Sequence, residues 1–552
     1  MNSPILHTSR RVRTPLPEQV DVAVIGCGLG GLQAAALLAR AGMKVACFDS
    51  HYVAGGCATM FERGRSDQRF RFDVGLHYLG DCQPGGAIPR LLANAGVADV
   101  EYVPMDPEGF DTLVFPGLRF AVPQGLQRYR ERLVETFPEE RRGIDRYIRF
   151  LAEVDGAIQV LDGPQKKPPL GLALHVLLRG RSVLRYQHAT VQTVLDDCTR
   201  DRRLQAVLLG ESGDYAVAPS RASALLHAGL MLHYLRGAWY PVGGGQVLAD
   251  RLAEEIERHG GTLHLRCGIE RVVVEHGRAV GVVVEADGKR PAHTVRAKVV
   301  LSNADIKKTF LELVGPEHLP AGYVEKAQGW QMGGALWMTY LGIEGSLGGD
   351  GDKRTNFWQF DSFDMESFYR FDPARPGEAT SWRPGGCYIT SASVKDPQTP
   401  GHAPPGHSAV EVMALVPGSA QSWGLSPAEL AGGSYRKNPA YLQRKQVLED
   451  DMIARLDALF PGVAQRVVFR ESASPASHSR YTRASDGTGY GLAATPGQFQ
   501  KHRPGYRGPL PGLYLAGAST RAGHGILGAL TSGQRAAERI AADAGVRLAP
   551  SR

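Results

Sequence analysis

Three glycines that follow a short apolar run constrain the fold of this chain more than any other feature. Gly26, Gly28 and Gly31 form a GxGxxG pattern directly after VDVAVI and at the start of an apolar helical repeat, LQAAALLARAG. In such a turn the first glycine permits a tight bend, the second lets the backbone approach a pyrophosphate, and the third lets the helix pack on the strand. The pattern predicts a βαβ unit that opens a parallel sheet and binds a dinucleotide at the helix N-terminus.

An acidic residue supports this prediction. Asp49 ends a second apolar run, KVACFD, and stands 23 residues after Gly26, where a carboxylate can accept hydrogen bonds from ribose hydroxyls. The alternative is a glycine-rich turn without a ligand, and the order of strand, helix and acid argues against it. NAD and FAD are bound by the same device, so the motif alone leaves the choice between them open.

Composition excludes several classes of protein. Of the 552 residues, 43% are hydrophobic and 22% are charged, which suits a large folded core and excludes a disordered, collagen-like or coiled-coil chain. The net charge of +7 comes without a basic run that contains aromatic residues, so we expect no nucleic-acid partner. The 7 cysteines form no CxxC pair, which argues against a disulfide framework or a zinc site, and we expect no metal.

The sequence predicts a cytoplasmic protein with at most peripheral membrane contact. The first residues lack the apolar core of a secretory signal, and no apolar run is long enough to span a bilayer. The longest candidate for membrane contact is the stretch 168–184, PPLGLALHVLLRGRSVL, which two lysines precede. Two interpretations of this stretch stay open, a segment that lies reversibly in the membrane interface and an ordinary buried helix.

Changes in pattern along the chain predict a nucleotide domain that is interrupted twice. Helical patterns replace sheet patterns from about Asp106 to Tyr240, and β-rich runs return at 261–284 and 297–303. A strand, a glycine loop and a helix follow from Leu513. The predicted segments are a first nucleotide-binding segment (20–105), a helical insertion (106–238), a second nucleotide-binding segment (239–305), a substrate domain (306–484) and a third nucleotide-binding segment (485–545).

Several blocks of the chain resemble one family of flavoproteins. The chain contains HYVAGGCATMF, FDVGLHYLGD, AWYPVGGGQVLADRLAEEIERHGG, VVLSNAD, SPASHSRYTRASDGTGYGLAATPGQF and GLYLAGASTRAGHGILGALTSG. Their order and spacing resemble those of FAD-dependent carotenoid desaturases, carotenoid isomerases and retinol saturases, over nearly the whole chain. The resemblance implies an α/β fold with a discontinuous Rossmann-type FAD-binding domain, an inserted mixed α+β substrate domain, and a helical region that faces a membrane or covers the site.

The resemblance also implies which residues hold FAD. It assigns the pyrophosphate to Gly26, Gly28 and Gly31 and the adenosine ribose to Asp49, although Asp replaces the usual Glu there. It places Gly55 and Gly56 beside the cofactor, Ile269 at the adenine and Gly517 at the ribityl phosphate. Under the isoalloxazine it places the start of a helix, at Gly525, Ile526 and Leu527. A helix that begins under the isoalloxazine suits a reduced flavin, which is anionic near N1.

Four residues in the blocks implied to line the isoalloxazine are candidates for catalysis. We interpret His77, Tyr78 and His524 as candidate proton carriers and Arg521 as a candidate for electrostatic support. For each of them, a packing or hydrogen-bonding role is the alternative. Cys57 follows the paired glycines and is predicted to be a packed, unreactive thiol.

The resemblance implies an FAD-dependent oxidoreductase that acts on carbon–carbon bonds of a hydrophobic isoprenoid or polyene. A desaturase requires an external electron acceptor, a saturase requires a donor, and an isomerase works over reduced FAD without net redox change; the sequence leaves these three open. No second GxGxxG follows a strand, so we expect a separate electron donor or acceptor. The alternatives are a flavin amine oxidase or a carotenoid ketolase on the same fold, and a non-catalytic lipid carrier of the Rab GDP-dissociation inhibitor type, against which the intact glycine turn argues.

Overall fold

The computed structural model describes residues 15–65, 68–162, 180–288, 290–371 and 382–550. Most of the stretch 168–184, for which the sequence predicts membrane contact or burial, lies outside these ranges. Within them, no helix combines the length and the apolar character that crossing a membrane requires.

The described part of the chain contains both strands and helices. The strands are β1 (Gln19–Ile25), β2 (Val45–Asp49), β3 (Met60–Arg65), β4 (Gln68–Asp73), β5 (Leu79–Gly80), β6 (Tyr102–Pro104), β7 (Asp111–Phe115), β8 (Leu118–Val122), β9 (Ala238–Pro241), β10 (Thr262–Leu265), β11 (Ile269–Glu275), β12 (Arg278–Val284), β13 (His293–Ser302), β14 (Ala335–Glu344), β15 (Asn356–Phe360), β16 (Gly386–Thr390), β17 (His407–Val416), β18 (Val467–Ala473) and β19 (Leu513–Leu515). The α-helices are α1 (Leu29–Arg40), α2 (Ala87–Asn94), α3 (Leu126–Thr136), α4 (Arg141–Asp162), α5 (Arg181–Tyr186), α6 (Val191–Cys198), α7 (Arg202–Leu208), α8 (Ala224–Leu235), α9 (Gln246–Arg258), α10 (Ile306–Lys308), α11 (Tyr323–Gly329), α12 (Ala392–Lys395), α13 (Pro427–Gly432), α14 (Pro439–Leu459), α15 (Pro475–Thr482) and α16 (Gly525–Ala544).

The first sheet contains the βαβ unit that the glycine pattern predicts. Its strand order is β10-β2-β1-β13-β12-β11, and β19 pairs with β13. β1 lies parallel to both β2 and β13, and α1 connects β1 to β2. Val22, Ala23 and Val24 are fully buried, as expected for a central parallel strand with both faces covered. α1 packs against α9 and α16, which form part of that cover.

The second sheet has the order β18-β14-β17-β16-β15-β7-β8. Side chains of β14 alternate between its two faces, as the pleat requires. Met338 and Tyr340 join a core with the helices α3, α4 and α6 to α8, whereas Trp337 and Leu341 join a core with α14. The sheet therefore lies between two helical layers, and one of its faces is available to form the wall of a site.

The helical prediction for the region from Asp106 to Tyr240 is wrong at one hairpin. β7 and β8 lie in this region, pair with each other through a turn at Pro116 and Gly117, and join the second sheet because β7 runs parallel to β15. Two five-residue strands carry little periodicity of their own, and the partner strand is distant in sequence. Up to β9, which begins at Ala238, the rest of the region contains α3 to α8, in agreement with the prediction.

Candidate active site

A cavity of about 1440 Å³ connects the glycine turn after β1 with the space between the second sheet and the helices α4, α5 and α8. Sites for one small molecule typically occupy about 300–1,000 Å³. The cavity is thus large enough for a cofactor and a substrate side by side. Its two ends differ in chemistry, since glycines line one end and apolar and aromatic side chains line the other.

The glycine turn is built by close backbone packing. Gly26 has φ +92°, and its N–H donates to the carbonyl of Phe48 at 2.8 Å, which joins the turn to β2. A Cβ on Gly31 would lie 2.3 Å from the carbonyl oxygen of Gly26, so only glycine lets α1 begin this close to the strand. Gly28 precedes α1 and lines the cavity. The backbone at this end can therefore meet a ligand directly.

Asp49 lies at the cavity wall and also stabilises the turn. Its two carboxylate oxygens accept hydrogen bonds from the backbone N–H groups of Cys27 and His51, at 2.7 and 2.8 Å. Burial raises the pKa of Asp49 above its usual range, while these two donors act in the opposite direction. The carboxyl group remains at the wall of the cavity, where the prediction places a ribose.

Asn303, which follows β13, lies between the two glycine loops, and the sequence did not mark it as a site residue. Its Nδ2 donates to the carbonyl of Gly26 at 3.3 Å, whereas its buried Oδ1 has no hydrogen-bond partner among the described residues. A Cβ on Gly28, Gly30 or Gly517 would approach the Asn303 amide to within 2.9 Å. A buried free acceptor inside a cradle of glycines fits the polar middle of a dinucleotide such as FAD.

The remaining residues that the family resemblance assigns to FAD reach the same cavity. The N–H of Gly517 donates to Ser532 Oγ at 2.8 Å, and this bond joins the loop after β19 to α16. The implied cofactor residues at the wall are Gly26, Gly28, Asp49, Gly55, Gly56, Ile269, Gly517, Gly525, Ile526 and Leu527. Gly31 packs behind the turn instead. The individual contacts of these residues with FAD stay predictions.

His77 is buried and His524 is half-buried, and both lie at the cavity wall. Burial and the charge of Lys395 lower the pKa of His77 to about 3. Burial and the charge of Arg503 likewise lower the pKa of His524 to about 3. Both imidazoles are neutral near pH 7. Each therefore offers one N–H group that can donate a hydrogen bond and one ring nitrogen that can accept a proton.

Tyr78 contacts carboxyl groups. Its hydroxyl lies 2.9 Å from Asp111 Oδ2 and 2.9 Å from Asp214 Oδ2. Its ring stacks on that of Tyr234, with ring centroids 4.2 Å apart and planes within 3°. Burial, together with the nearby carboxyls, raises the pKa of Tyr78 well above its usual range. Tyr78 is therefore protonated across the physiological range and connects two acidic side chains.

The structure does not bring Arg521 to the cavity wall. Its side chain is exposed. Arg503 is the buried cation of this region, and it donates to the backbone carbonyls of Leu492, Gln498 and Ala518. Burial lowers the pKa of Arg503 to about 10. Sequence reasoning missed this residue, because a single arginine before a proline in a loop is not distinctive.

A second buried polar cluster supports the loop that carries His77. Asp73 accepts hydrogen bonds from the Gly245 N–H and the Tyr240 hydroxyl, and Glu411 accepts one from the Asp73 N–H at 2.9 Å. Lys395 Nζ donates to the His77 carbonyl. Burial lowers the pKa of Lys395 to about 8 and raises that of Glu411 to about 7. Because Lys395 supplies positive charge to the two carboxyls, we assign no metal to this cluster.

Cys57 also lines the cavity, with its Sγ 4.0 Å from His478 Nε2. Burial raises the pKa of its thiol to about 11. The thiolate, which is the reactive form, is therefore scarce near pH 7. This agrees with the prediction of an unreactive thiol.

The inner end of the cavity is an apolar chamber. Its wall combines one face of α8, the C-terminal part of α4, one residue of α5 and the inner face of the second sheet. We define the chamber by Val154, Ala157, Ile158, Val183, Leu225, Leu226, Gly229, Leu230, Tyr234, Leu336, Met338, Tyr388 and Met413. Such a surface suits a molecule with a long apolar body.

Comparisons with known proteins agree with this geometry. The family model described as flavin containing amine oxidoreductase matches residues 29–541. The all-trans-retinol 13,14-reductase of Danio rerio is 27% identical over 531 residues, which cover 94% of this chain and 85% of that protein. The chloroplastic prolycopene isomerase of Daucus carota is 25% identical over 540 residues, which cover 96% and 81%.

A solved structure shares the fold. A triple mutant of putrescine oxidase has a TM-score of 0.60 at 17% identity, and the match covers 95% of this chain and 99% of that one. This likeness concerns the fold alone. Together with the family match, it confirms the predicted α/β class as the mixed α/β fold of flavin oxidoreductases.

Proposed function

Since the chain belongs to the family of flavin-containing amine oxidoreductases and is an FAD-dependent oxidoreductase, we propose that it acts on carbon–carbon bonds of a hydrophobic isoprenoid polyene. The observation that carries the proposal is the continuity of one cavity from the glycine turn to the apolar chamber. Two relatives support the substrate class, because their names refer to retinol and prolycopene.

One part of the chain would bind the cofactor and another part the substrate. The first sheet with α1, α9 and α16 forms a discontinuous Rossmann-type FAD-binding domain, from the segments 20–105, 239–305 and 485–545. The second sheet, mainly from 306–484, forms the substrate domain, and the helices of 106–238 cover its inner face. Within the segment 106–238, the stretch 168–184 is the proposed site of peripheral membrane contact.

Different residues of the chain would bind the cofactor, stabilise its charge and orient the substrate. When bound, FAD supplies the electron or hydride transfer. The glycine turn, Asp49 and the free Oδ1 of Asn303 hold the polar part of the cofactor. The N-terminus of α16, which begins at Gly525, stabilises negative charge on the reduced ring. The chamber orients the polyene and excludes water, which would otherwise react with the activated substrate. Electrons come from or go to a separate partner.

Anaerobic spectroscopy of the purified flavoprotein tests the proposal. A panel of polyenes, including a retinol and a cis-configured carotene, is added to the oxidised and to the dithionite-reduced protein. Bleaching of oxidised flavin indicates desaturation, reoxidation of reduced flavin indicates saturation, and product isomers over flavin that stays reduced indicate isomerisation. Putrescine serves as the control substrate, and we expect it to leave the flavin oxidised. A flavin that responds to putrescine and to no polyene would overturn the proposal.

A further inference from the structure

Three carboxyl groups lie close together at and behind the cavity wall, and the proposed function gives them no role. Asp111 and Glu211 are buried, and Asp214 lies at the chamber wall. No lysine or arginine in the described ranges forms an ion pair with any of the three. Three neighbouring carboxylates without a paired cation cannot all be ionised in an interior of low dielectric constant. This cluster therefore holds at least one proton near neutral pH.

The geometry at Tyr78 shows where a proton is shared. Its phenolic oxygen lies 2.9 Å from a carboxyl oxygen of Asp111 and 2.9 Å from one of Asp214. A phenol has one proton and donates to one acceptor at a time. The second short contact is a hydrogen bond only if that carboxyl is protonated and donates to the phenol. Asp111, Tyr78 and Asp214 thus form a chain that two protons occupy, one on the phenol and one on the carboxyl pair.

Other side chains fix this chain in place. Asp111 Oδ1 accepts from Asn356 Nδ2 at 2.9 Å, and its Oδ2 accepts from Trp358 Nε1 at 3.2 Å. Burial raises the pKa of Asp111 to about 8 and that of Asp214 to about 6. Burial and the neighbouring aspartates also raise the pKa of Glu211 well above its usual range. All three shifts are upward, and because Asp111 has the higher pKa of the two aspartates, the proton of the pair rests mainly on Asp111 at pH 7 while Asp214 is mostly ionised.

The three members of the chain differ in their access to the cavity. Asp214 and Tyr78 line it, together with Tyr234, whereas Asp111 lies behind them. We propose that Asp214 is a catalytic residue that exchanges a proton with a carbon atom of the polyene, and that Tyr78 connects it to a proton held by Asp111. This inference rests on the proposed function and adds the residues that would move its proton.

The proton balances the reaction in the reducing direction. When bound, reduced flavin would supply a hydride to one carbon of the double bond, and Asp214 would give a proton to the neighbouring carbon. The π bond breaks, two C–H bonds form, and the flavin is left oxidised until an external two-electron donor reduces it. The proton that Asp214 gives up reaches it from Asp111 in one shift along the chain, in which Asp111 protonates the Tyr78 oxygen as Tyr78 protonates Asp214. Both carboxyl groups are then ionised, and one proton from solvent restores the pair before the next turnover. In desaturation the same residues carry the proton in the opposite direction.

Infrared spectroscopy tests the shared proton without turnover. The purified holoprotein is compared at pH 7 in H2O and D2O, since the C=O band of a protonated carboxyl shifts on deuteration. We expect Asp111→Asn and Asp214→Asn each to remove the C=O band of the shared proton. In either variant Tyr78 donates its hydrogen bond to the one remaining aspartate, which is then stable as an ionised carboxylate. The control Asp350→Asn, at an exposed carboxylate paired with Arg119, should keep the band. A band lost in one of the two variants only, or in neither, overturns the shared proton.

Reoxidation kinetics test the catalytic assignment. The dithionite-reduced protein is mixed with a reactive polyene, and Asp214→Asn and Tyr78→Phe should each slow flavin reoxidation about 100-fold or more. Flavin content should stay at the wild-type value. The control Tyr323→Phe alters a tyrosine that packs on Phe310 and Trp330, outside the cavity, and should leave the rate unchanged.

The two experiments separate two failures. If the wild-type protein reacts with polyenes and both variants react equally fast, the inference is wrong while the proposed function stands. If no polyene reacts with the wild-type protein, the proposed function is wrong, and the infrared bands still decide whether Asp111 and Asp214 share a proton. A variant that has lost flavin or thermal stability is replaced by Asp214→Glu, which keeps the acid and should retain the infrared band and part of the rate.

Discussion

The side-chain amide of Asn303 donates to the backbone carbonyl oxygen of Gly26, with 3.3 Å between nitrogen and oxygen. This bond connects the residue after β13 to the turn after β1, at the end of two strands that pair in parallel. The other amide atom, Oδ1, is buried without a partner among the described residues. Since an unsatisfied buried acceptor is costly, this atom is placed to receive a donor from a bound group.

Asn303→Ala should weaken FAD binding about tenfold, since a hydrogen bond to a bound group contributes about 0.5–1.5 kcal/mol and the turn also loses its Nδ2 donor. Quenching of flavin fluorescence on titration into the apoprotein measures the dissociation constant. Asn438→Ala is the matched control, because Asn438 caps α14 and should cost about 1 kcal/mol of stability without changing FAD affinity. Equal FAD affinities in the two variants would contradict the role of Asn303.

Gly28→Val should abolish FAD binding. A Cβ at Gly28 would lie 2.9 Å from Asn303 Nδ2, and the two methyl groups would project into the space where the backbone must meet the pyrophosphate. The ratio of visible to ultraviolet absorbance of the purified variant reports its flavin content. Gly432→Ala, at a helical glycine where a Cβ meets no atom within 4 Å, should keep the flavin. Full flavin content in Gly28→Val would refute the placement of the pyrophosphate.

The region of the fold that the sequence predicts best is the one that local patterns determine. The sequence predicts a first strand from residue 20, and β1 begins at Gln19; Asp49 ends β2 as expected. Glycine spacing, strand length and the apolar helix all lie within about thirty residues and point to the same structure. The hairpin of β7 and β8 was missed because its place in the sheet depends on β15, whose strand begins at Asn356.

The candidate site likewise contains some features that local sequence patterns predict and others that they do not. Glycine positions carry their own conformational signature, and those assigned to FAD lie at or directly behind one cavity wall. Burial carries no such signature, since Arg521 and Arg503 look alike in sequence but only the second is buried. Asp111 and Asp214 are separated by about a hundred residues, and both contact the Tyr78 hydroxyl. No pattern within a segment could have predicted that contact.

Gly229→Phe should block the chamber and spare the cofactor. A Cβ on Gly229 meets no atom within 4 Å, and this residue of α8 lines the chamber, so the ring can project into the empty space without a backbone clash. We expect full flavin content and polyene binding at least about tenfold weaker than that of the wild-type protein. The spectral shift of the bound polyene measures this affinity. Gly229→Ala is the control, and it should gain up to about 1 kcal/mol of helix stability while binding polyenes normally. Unchanged polyene affinity in Gly229→Phe would place the substrate elsewhere.

His227 should make the stability of the protein sensitive to acid. It is buried between the hydroxyls of Tyr147 and Tyr215, at 2.9 and 3.3 Å, and burial lowers its pKa to about 4 from the ordinary value of 6.5. Below pH 6.5 the unfolded state therefore binds a proton that the folded state excludes, so stability falls as the pH drops from 6.5 towards 4, by about 3 kcal/mol in total. Above pH 6.5 this contribution is constant.

His227→Gln removes the titrating group and tests this assignment. The melting temperature of the wild-type protein should exceed that of the variant most at pH 7, and the difference should shrink as the pH falls to 4.5, because only the wild-type protein must keep a histidine neutral. Tyr147→Phe removes a hydrogen bond to His227 but keeps the imidazole, so its loss of stability in acid should remain. A difference between wild type and His227→Gln that stays constant from pH 7 to pH 4.5 would show that this histidine is not held neutral by burial.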